Sequence, residues 1–519
     1  MGFSTPAYVD KDLHGGEPLL WEDTIHHTLL YTAHEGTTHL YRPGFNSITG
    51  DFTFVDNYRN QVILWVSKDD GKTWTRINYQ GTGFSTDPTK NTGFSDPDFT
   101  QDAGGRVYDT GIDLANDALF SSPDGGITWD RGTVQCNDGD RPWLAGGNKD
   151  EVFMSTDTVE DGFGDPTGTG HSLFQSKDGG NTCQKVATDY GTTDKGGTTA
   201  YVGYGKLFMD HARQRIIEPE LYQGKDESGN TKTLAIGAGT WKRGDSQFAP
   251  HFIGNTTLQG HFPIIALDSN DTAYLFWDTD PRDKNGKDGC GGGPTPLANS
   301  IQMTVSKDFG QTWSAPVTIS APAGARVLWP WAVAGDPGKV GVVWYQSNKV
   351  NDPDCAGDDV KWSIYETHIE GADNPATMRV SPPVDAAGAV IHTGGICQGG
   401  TTCVATGQDR RLGDFFTNAI DARGCEIIAS GDTRLTDEMG NQLPTARPIF
   451  IRQSSGPPLI GSVDCSGSAS QVLANRNAAA KKKAKRKRTC RAHRRRSARG
   501  NRSPAFTGRV HRCAARKHR

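Results

Sequence analysis

Charged residues stand at or just before the starts of short apolar runs along most of the chain. They are Asp96 and Asp98, Asp140 and Arg141, His261, Arg326, then Arg411 and Asp414. If such residues converge, two kinds of chemistry become available. Carboxyl groups in differing environments serve as acid and base. Arginine forks hold a carboxylate or phosphate through paired hydrogen bonds. Arg141 and Arg411 are the candidates for holding an anionic group, with Asp96, Asp98 and Asp414 as acid/base or orienting partners. The competing reading makes Asp140–Arg141 and Arg411–Asp414 mutual ion pairs that lock structural elements together.

The elements that must position these residues are written in repeats. Ser67-Lys68-Asp69-Asp70-Gly71-Lys72-Thr73-Trp74 returns as an octad starting at Ser122, at Ser176 and at Ser306. The pattern is S-x-D-x-G-x-T-W, with Cys183 in the last slot of the third copy. Each copy follows an apolar run. A short Asp accepts hydrogen bonds from the backbone just ahead of it, and Gly supplies a positive φ. Thr begins a new strand, and Trp carries a large apolar surface into the core. The octad therefore reads as strand, tight turn, strand. Asp69, Gly71, Trp74, Asp124, Gly126, Trp129, Asp178, Gly180, Asp308, Gly310 and Trp313 are read as structural, with the three Trp buried.

This octad resembles the Asp-box, or BNR repeat, of the sialidase-like β-propeller superfamily. The resemblance implies an all-β propeller whose first strand in each blade lines a central channel. A second recurring unit, apolar strand, polar turn, apolar strand, appears seven times between residues 19 and 429. Seven blades are expected, six if the first and last pieces share one. With 64 Gly and 27 Pro in 519 residues, turn formers are dense enough for many short strands. Inner-strand ends rim the channel, so the charged residues would meet there. The resemblance also points, through the sialidase pattern, to Arg42 in Tyr41-Arg42-Pro43 as a ligand-binding residue and to Glu218 as a catalytic carboxylate. It implies a secreted, glycan-directed protein, as an enzyme an exo-glycosidase of sialidase type acting at the channel mouth. The alternative is a noncatalytic glycan- or protein-binding propeller, anchored to an anionic surface by its tail.

From Gln471 onward there are 19 Lys and Arg and no Asp or Glu, leaving 36 basic against 60 acidic residues in the body. Residues 1–453 are expected to form the propeller, 454–477 a linker and 478–519 a basic low-complexity tail, disordered alone. Such a tail suits an anionic polymer. Ten Cys favour an oxidising compartment. The pairs read as Cys136–Cys183, Cys290–Cys355, Cys397–Cys403, Cys425–Cys465 and, in the tail, Cys490–Cys513, the alternative being free buried thiols. No signal peptide is visible at residues 1–6, so either the leader is missing from this sequence or the protein is intracellular; the Cys count and the resemblance favour the first, an extracellular or envelope protein. No cofactor is required. The loop at 278–288 has the alternating oxygen donors that suit Ca2+, a solvated loop being the other reading. A monomer is expected, and no apolar run is long enough to span a membrane.

Overall fold

In the computed structural model, the described residues are 1–34, 39–42, 62–77, 95–113, 116–136, 139–157, 171–189, 193–194, 197–198, 200–225, 231–255, 263–279, 299–400, 403 and 406–466. They form a seven-bladed β-propeller. Blade 1 comprises Gly16–Asp23, Thr28–His34, Val62–Ser67 and Thr75–Ile77. Blades 2 to 6 begin at Ser95–Gln101, Trp143–Gly146, Ala200–Tyr204, Ile264–Leu267 and Val327–Ala334. Blade 7 has Thr417–Ile420, Glu426–Asp432 and Arg447–Ser455, and the chain's own start completes it. Gly2 lies antiparallel to Ser455, and Ala7 to Phe450. The first and last pieces thus share a blade, yet the count stays seven, because the leading strands only add the outermost position, beside Arg447–Ser455, to a blade that already has three strands.

The middle strands have no polar face. Every residue of Thr28–His34 and of Val62–Ser67 is buried. Each sheet is covered on both sides by its neighbours, which is why the sequence shows unbroken apolar runs instead of alternation.

The four octads form one turn. In the first, Ser67 Oγ donates to Asp69 Oδ1 at 2.9 Å, and Gly71 N donates to Ser67 Oγ at 2.8 Å. Thr73 donates its N–H and hydroxyl to the two oxygens of Asp69, at 2.9 and 2.7 Å. Asp124, Asp178 and Asp308 are held in the same way. Each turn also seats on the blade before it. A Cβ on Gly71 would lie 2.6 Å from Phe450 of blade 7, one on Gly126 2.6 Å from Leu30 of blade 1, and one on Gly310 2.7 Å from Ile217 of blade 4. Thr28 Oγ1 donates to Gly125 O, and Ser121 Oγ to Gly179 O, across the same interfaces. Trp129 is buried, whereas Trp74 and Trp313 are half-buried, a correction to the expectation that all three are enclosed. In the third octad the Cys136–Cys183 disulfide joins blades 2 and 3 in place of the indole.

Cys397–Cys403 and Cys425–Cys465 are also bonded. Cys355 is disulfide-bonded, and Cys290 lies outside the described residues. So do His261, residues 280–298 of the acidic loop, and the chain from 467. The stretch expected to open a linker at 454 is packed as far as Ser466. Leu459 is buried, and its carbonyl accepts from Asp336 N at 2.9 Å. No helix among the described residues is long and apolar enough to cross a membrane.

Gly126 and Gly180 both have positive φ, but a Cβ on Gly180 meets nothing closer than 3.6 Å. Gly126→Ala should therefore destabilise the protein by about 1–3 kcal/mol more than Gly180→Ala, the ordinary range for overpacking. Chemical denaturation of both variants checks this. Equal losses would mean that these glycines serve the backbone alone.

Candidate active site

At four blade entrances the residue before a proline is a non-glycine with positive φ: Glu17 (48°), Asp96 (48°), Arg141 (59°) and Trp329 (54°). Pro18, Pro97, Pro142 and Pro330 follow them. Proline cannot donate to the ladder, and strand register slips between Gly16 and Leu19, Ser95 and Asp98, and Leu328 and Trp331. These bulges are strained positions of the kind that concentrate at functional sites.

Three of the four gather with residues of blades 3 and 7 at one end of the channel. Asp96 is half-buried there. Burial raises its carboxyl well above the ordinary range, and Glu17, Asp140 and Asp414 raise it further, Asp140 through a direct hydrogen bond. Arg141 faces Asp140, Asp157, Asp414 and Asp96. Burial opposes its charge, and the surrounding carboxylates more than restore it. Asp157, at the end of Val152–Asp157, is pushed up to about 7, by burial first and by Asp140, with Arg141 pulling the other way. Arg410 forks onto Asp414, reaching Oδ2 at 2.7 Å. Glu17 is fully buried. Burial alone would raise it, but His34 and His39 outweigh that and hold it well below the ordinary range. Beneath this layer, Trp143, Trp331 and Phe415 meet from blades 3, 6 and 7 with ring centroids 5.4–5.9 Å apart. Trp143 and Phe415 directly follow the charged entrances at Arg141 and Asp414, Trp331 follows Trp329-Pro330, and together they floor the mouth.

Of the residues expected at the site, Asp96, Arg141 and Asp414 come together. Asp98 does not. It is buried against the Lys206 ammonium, 2.6 Å from Oδ1, and accepts from Leu144 N at 2.8 Å. Arg411 is also elsewhere: its guanidinium grips Asp409 and donates to Leu443 O at 2.9 Å. The same Asp-x-Arg fork recurs at Asp421–Arg423 and Asp432–Arg434. Arg410 is the arginine that reaches the mouth, so the expected Arg411–Asp414 pair is displaced by one residue. Arg42 is exposed at the edge of the described residues. Glu218 lies between blades 3 and 4, bonded to His171 at 2.7 Å and Ser155 at 2.5 Å, and acts on Asp157 through its charge. Arg326 is buried beside Ser347. Glu17, Asp157 and Arg410 escaped the sequence reading. The recurring residue-proline pair at blade entrances was the signal that could have found Glu17.

The far end of the channel holds a cavity of about 300 Å³ lined by Leu19, Trp21, Phe99, Lys206 and Trp331. Its polar lining is Glu22, Lys206, Thr417 and Asn418.

No protein-family model matches the chain, nor does any curated protein sequence. Solved structures similar to it include a protein of unknown function from Dyadobacter fermentans, at 13% identity over 86% of this chain and 97% of that one, TM-score 0.41. Another is the GH93 α-L-arabinofuranosidase of Fusarium graminearum, at 14% over 69% and 92%, TM-score 0.38. A third is a PL25 ulvan lyase, at 10% over 90% and 98%, TM-score 0.45. Likeness at this level transfers no residue role to this chain.

Removing Lys206 leaves Asp98 as an uncompensated buried charge. Lys206→Met should cost about 3–5 kcal/mol, and adding Asp98→Leu should recover much of it, as read by denaturation midpoints. An Asp98→Leu change that left stability intact but abolished activity would return Asp98 to the site.

Proposed function

We propose that the protein is a glycan-directed hydrolase whose reaction takes place at the charged channel mouth. The observation that carries this reading is the pair of raised carboxyl groups on either side of Arg141. Glycoside hydrolysis needs one carboxyl group protonated near neutral pH and a second, ionised one. Asp157, poised at about 7, is the general acid that protonates the leaving oxygen. Asp96 and Asp140 are in contact, and like charges so close do not both ionise. Asp96, raised by burial and by its neighbours, keeps the proton, and the Asp140 side chain bonded to it serves as base toward water. Arg141 keeps the charge of Asp140 in place.

The charge balance supports a neutral sugar. With Asp96 and Asp157 protonated, Glu17, Asp140 and Asp414 still outnumber Arg141 and Arg410, and Arg410 already holds Asp414. A sialic acid brings a carboxylate that needs arginines to receive it, so the sialidase type is the less supported variant. Disulfides joining blades and loops support an exported protein. The basic tail would add salt-sensitive retention on an anionic polymer.

Fluorogenic neutral glycosides, with a sialoside alongside, test the reading. Turnover requires protonated Asp157, so it should fall as pH rises through about 7. In Asp157→Asn that limb should vanish, with turnover reduced by about 10²–10⁴, and Asp96→Asn should lose a similar factor with the fold retained. An unchanged pH profile in Asp157→Asn would remove Asp157 from the mechanism. Glycan binding without turnover of any substrate would leave a noncatalytic binding propeller.

A further inference from the structure

We propose that Glu17, His34 and His39 form a site for one divalent transition-metal ion of the zinc type, which holds Glu17 on the first strand of blade 1 to His34 on the second and His39 just beyond it, behind the mouth. The proposal does not rest on the hydrolase reading. His34 Nε2 lies 3.0 Å from Glu17 Oε2, and His39 Nε2 lies 3.1 Å from Glu17 Oε1. The two imidazoles stand edge to face, with ring centroids 3.9 Å apart. One donor atom from each residue falls within 4.8 Å of the other two. A tetrahedral zinc ion with bonds of about 2.0–2.1 Å holds its donors roughly 3.3 Å apart, so small movements would admit it.

The carboxylate turns one oxygen to each ring, so two imidazoles and a bidentate carboxylate supply four donor atoms. All three side chains are buried, which describes a closed, structural site. Imidazole nitrogen selects against calcium and magnesium, which take oxygen. Outer partners orient the carboxylate as metal ligands require. Ser95 Oγ donates to it at 3.4 Å, Asp96 N at 3.3 Å and Asp414 N at 3.0 Å. Arg410, 3.7 Å from Oε1, is a cation close to the site, but its fork is occupied by Asp414. Gly16 admits both rings, since a Cβ there would lie 3.4 Å from His34 Nε2 and from His39 Cδ2. Among the described residues, the other two buried clusters of this kind, His171–Glu218–Glu220 and Glu366–His368–Glu426, each offer a single imidazole.

The experiment uses the full chain, stripped with a chelator and titrated with Zn2+ by calorimetry, with bound metal counted by elemental analysis. Wild type should bind one equivalent more than His39→Gln and more than Glu17→Gln, and Zn2+ should raise its Tm but not theirs. Other histidines or the tail would bind equally in wild type and variants, so equal stoichiometry overturns the site. If the variants fail to fold, Co2+ added to stripped wild type decides. An intense visible spectrum of a four-coordinate ion supports the proposal, and the weak spectrum of hydrated Co2+ overturns it.

Discussion

Ring closure is the constraint on which the rest depends. Glu17 and Asp414 are 397 positions apart, yet Asp414 N donates to Glu17 Oε1 at 3.0 Å. Thr417 Oγ1 reaches Pro18 O at 3.0 Å, and Tyr31 hydroxyl reaches Ile449 O at 3.1 Å, over the same seam. These contacts exist because the first residues of the chain pair with Arg447–Ser455, which is the last long strand. Closure removes an open sheet edge. It also converts seven separate blade entrances into one mouth, since side chains from different blades can meet only around a closed axis.

The same residue type behaves in opposite ways at the two ends of the ring. Neighbouring strands alternate in direction, so a turn leaving the third strand lies where the first strand finishes, away from the mouth. There the octad carboxylates have hydroxyl and amide donors for neighbours. Burial would raise them, but those donors outweigh it, lowering Asp124, Asp178 and Asp308 and bringing Asp69 to about 2. At the mouth the neighbours are other carboxylates, and Asp96 and Asp157 go up. An Asp surrounded by donors is a fixed acceptor suited to a turn. An Asp surrounded by acids keeps a proton that it can give away.

The repeats made the architecture legible. Each octad is local, completed within eight residues, so its turn chemistry survives reading in one dimension. The pairings Cys136–Cys183, Cys397–Cys403 and Cys425–Cys465 were legible for a related reason, since repeat position placed the first pair and proximity in the chain the second. The site was legible only in part, because its geometry breaks the period of two. In a regular strand Asp96 and Asp98 share a face. The bulge between Ser95 and Asp98 separates them, leaving Asp96 at the mouth and sending Asp98 to Lys206 of blade 4. Arg410 and Arg411 were confused because local pattern does not show which of two adjacent arginines is captured by its own Asp-x-Arg fork. Asp157, at the end of a second strand, carries no local mark.

Collecting acids at the mouth works against the fold. A carboxyl group raised above its unfolded value binds its proton more tightly in the native state, so its contribution to stability is fully present below the ordinary carboxylate range. That contribution is lost as pH rises, through a window that for Asp157 ends at about 7. The burden falls on contacts between blades lying elsewhere: Phe450 beside Trp74, and the octad turns seated on their neighbours. Those contacts are apolar or neutral hydrogen bonds and do not titrate in that range. The separation of the strained, titrating mouth from the unresponsive outer turns therefore lets the mouth change protonation while the ring stays closed.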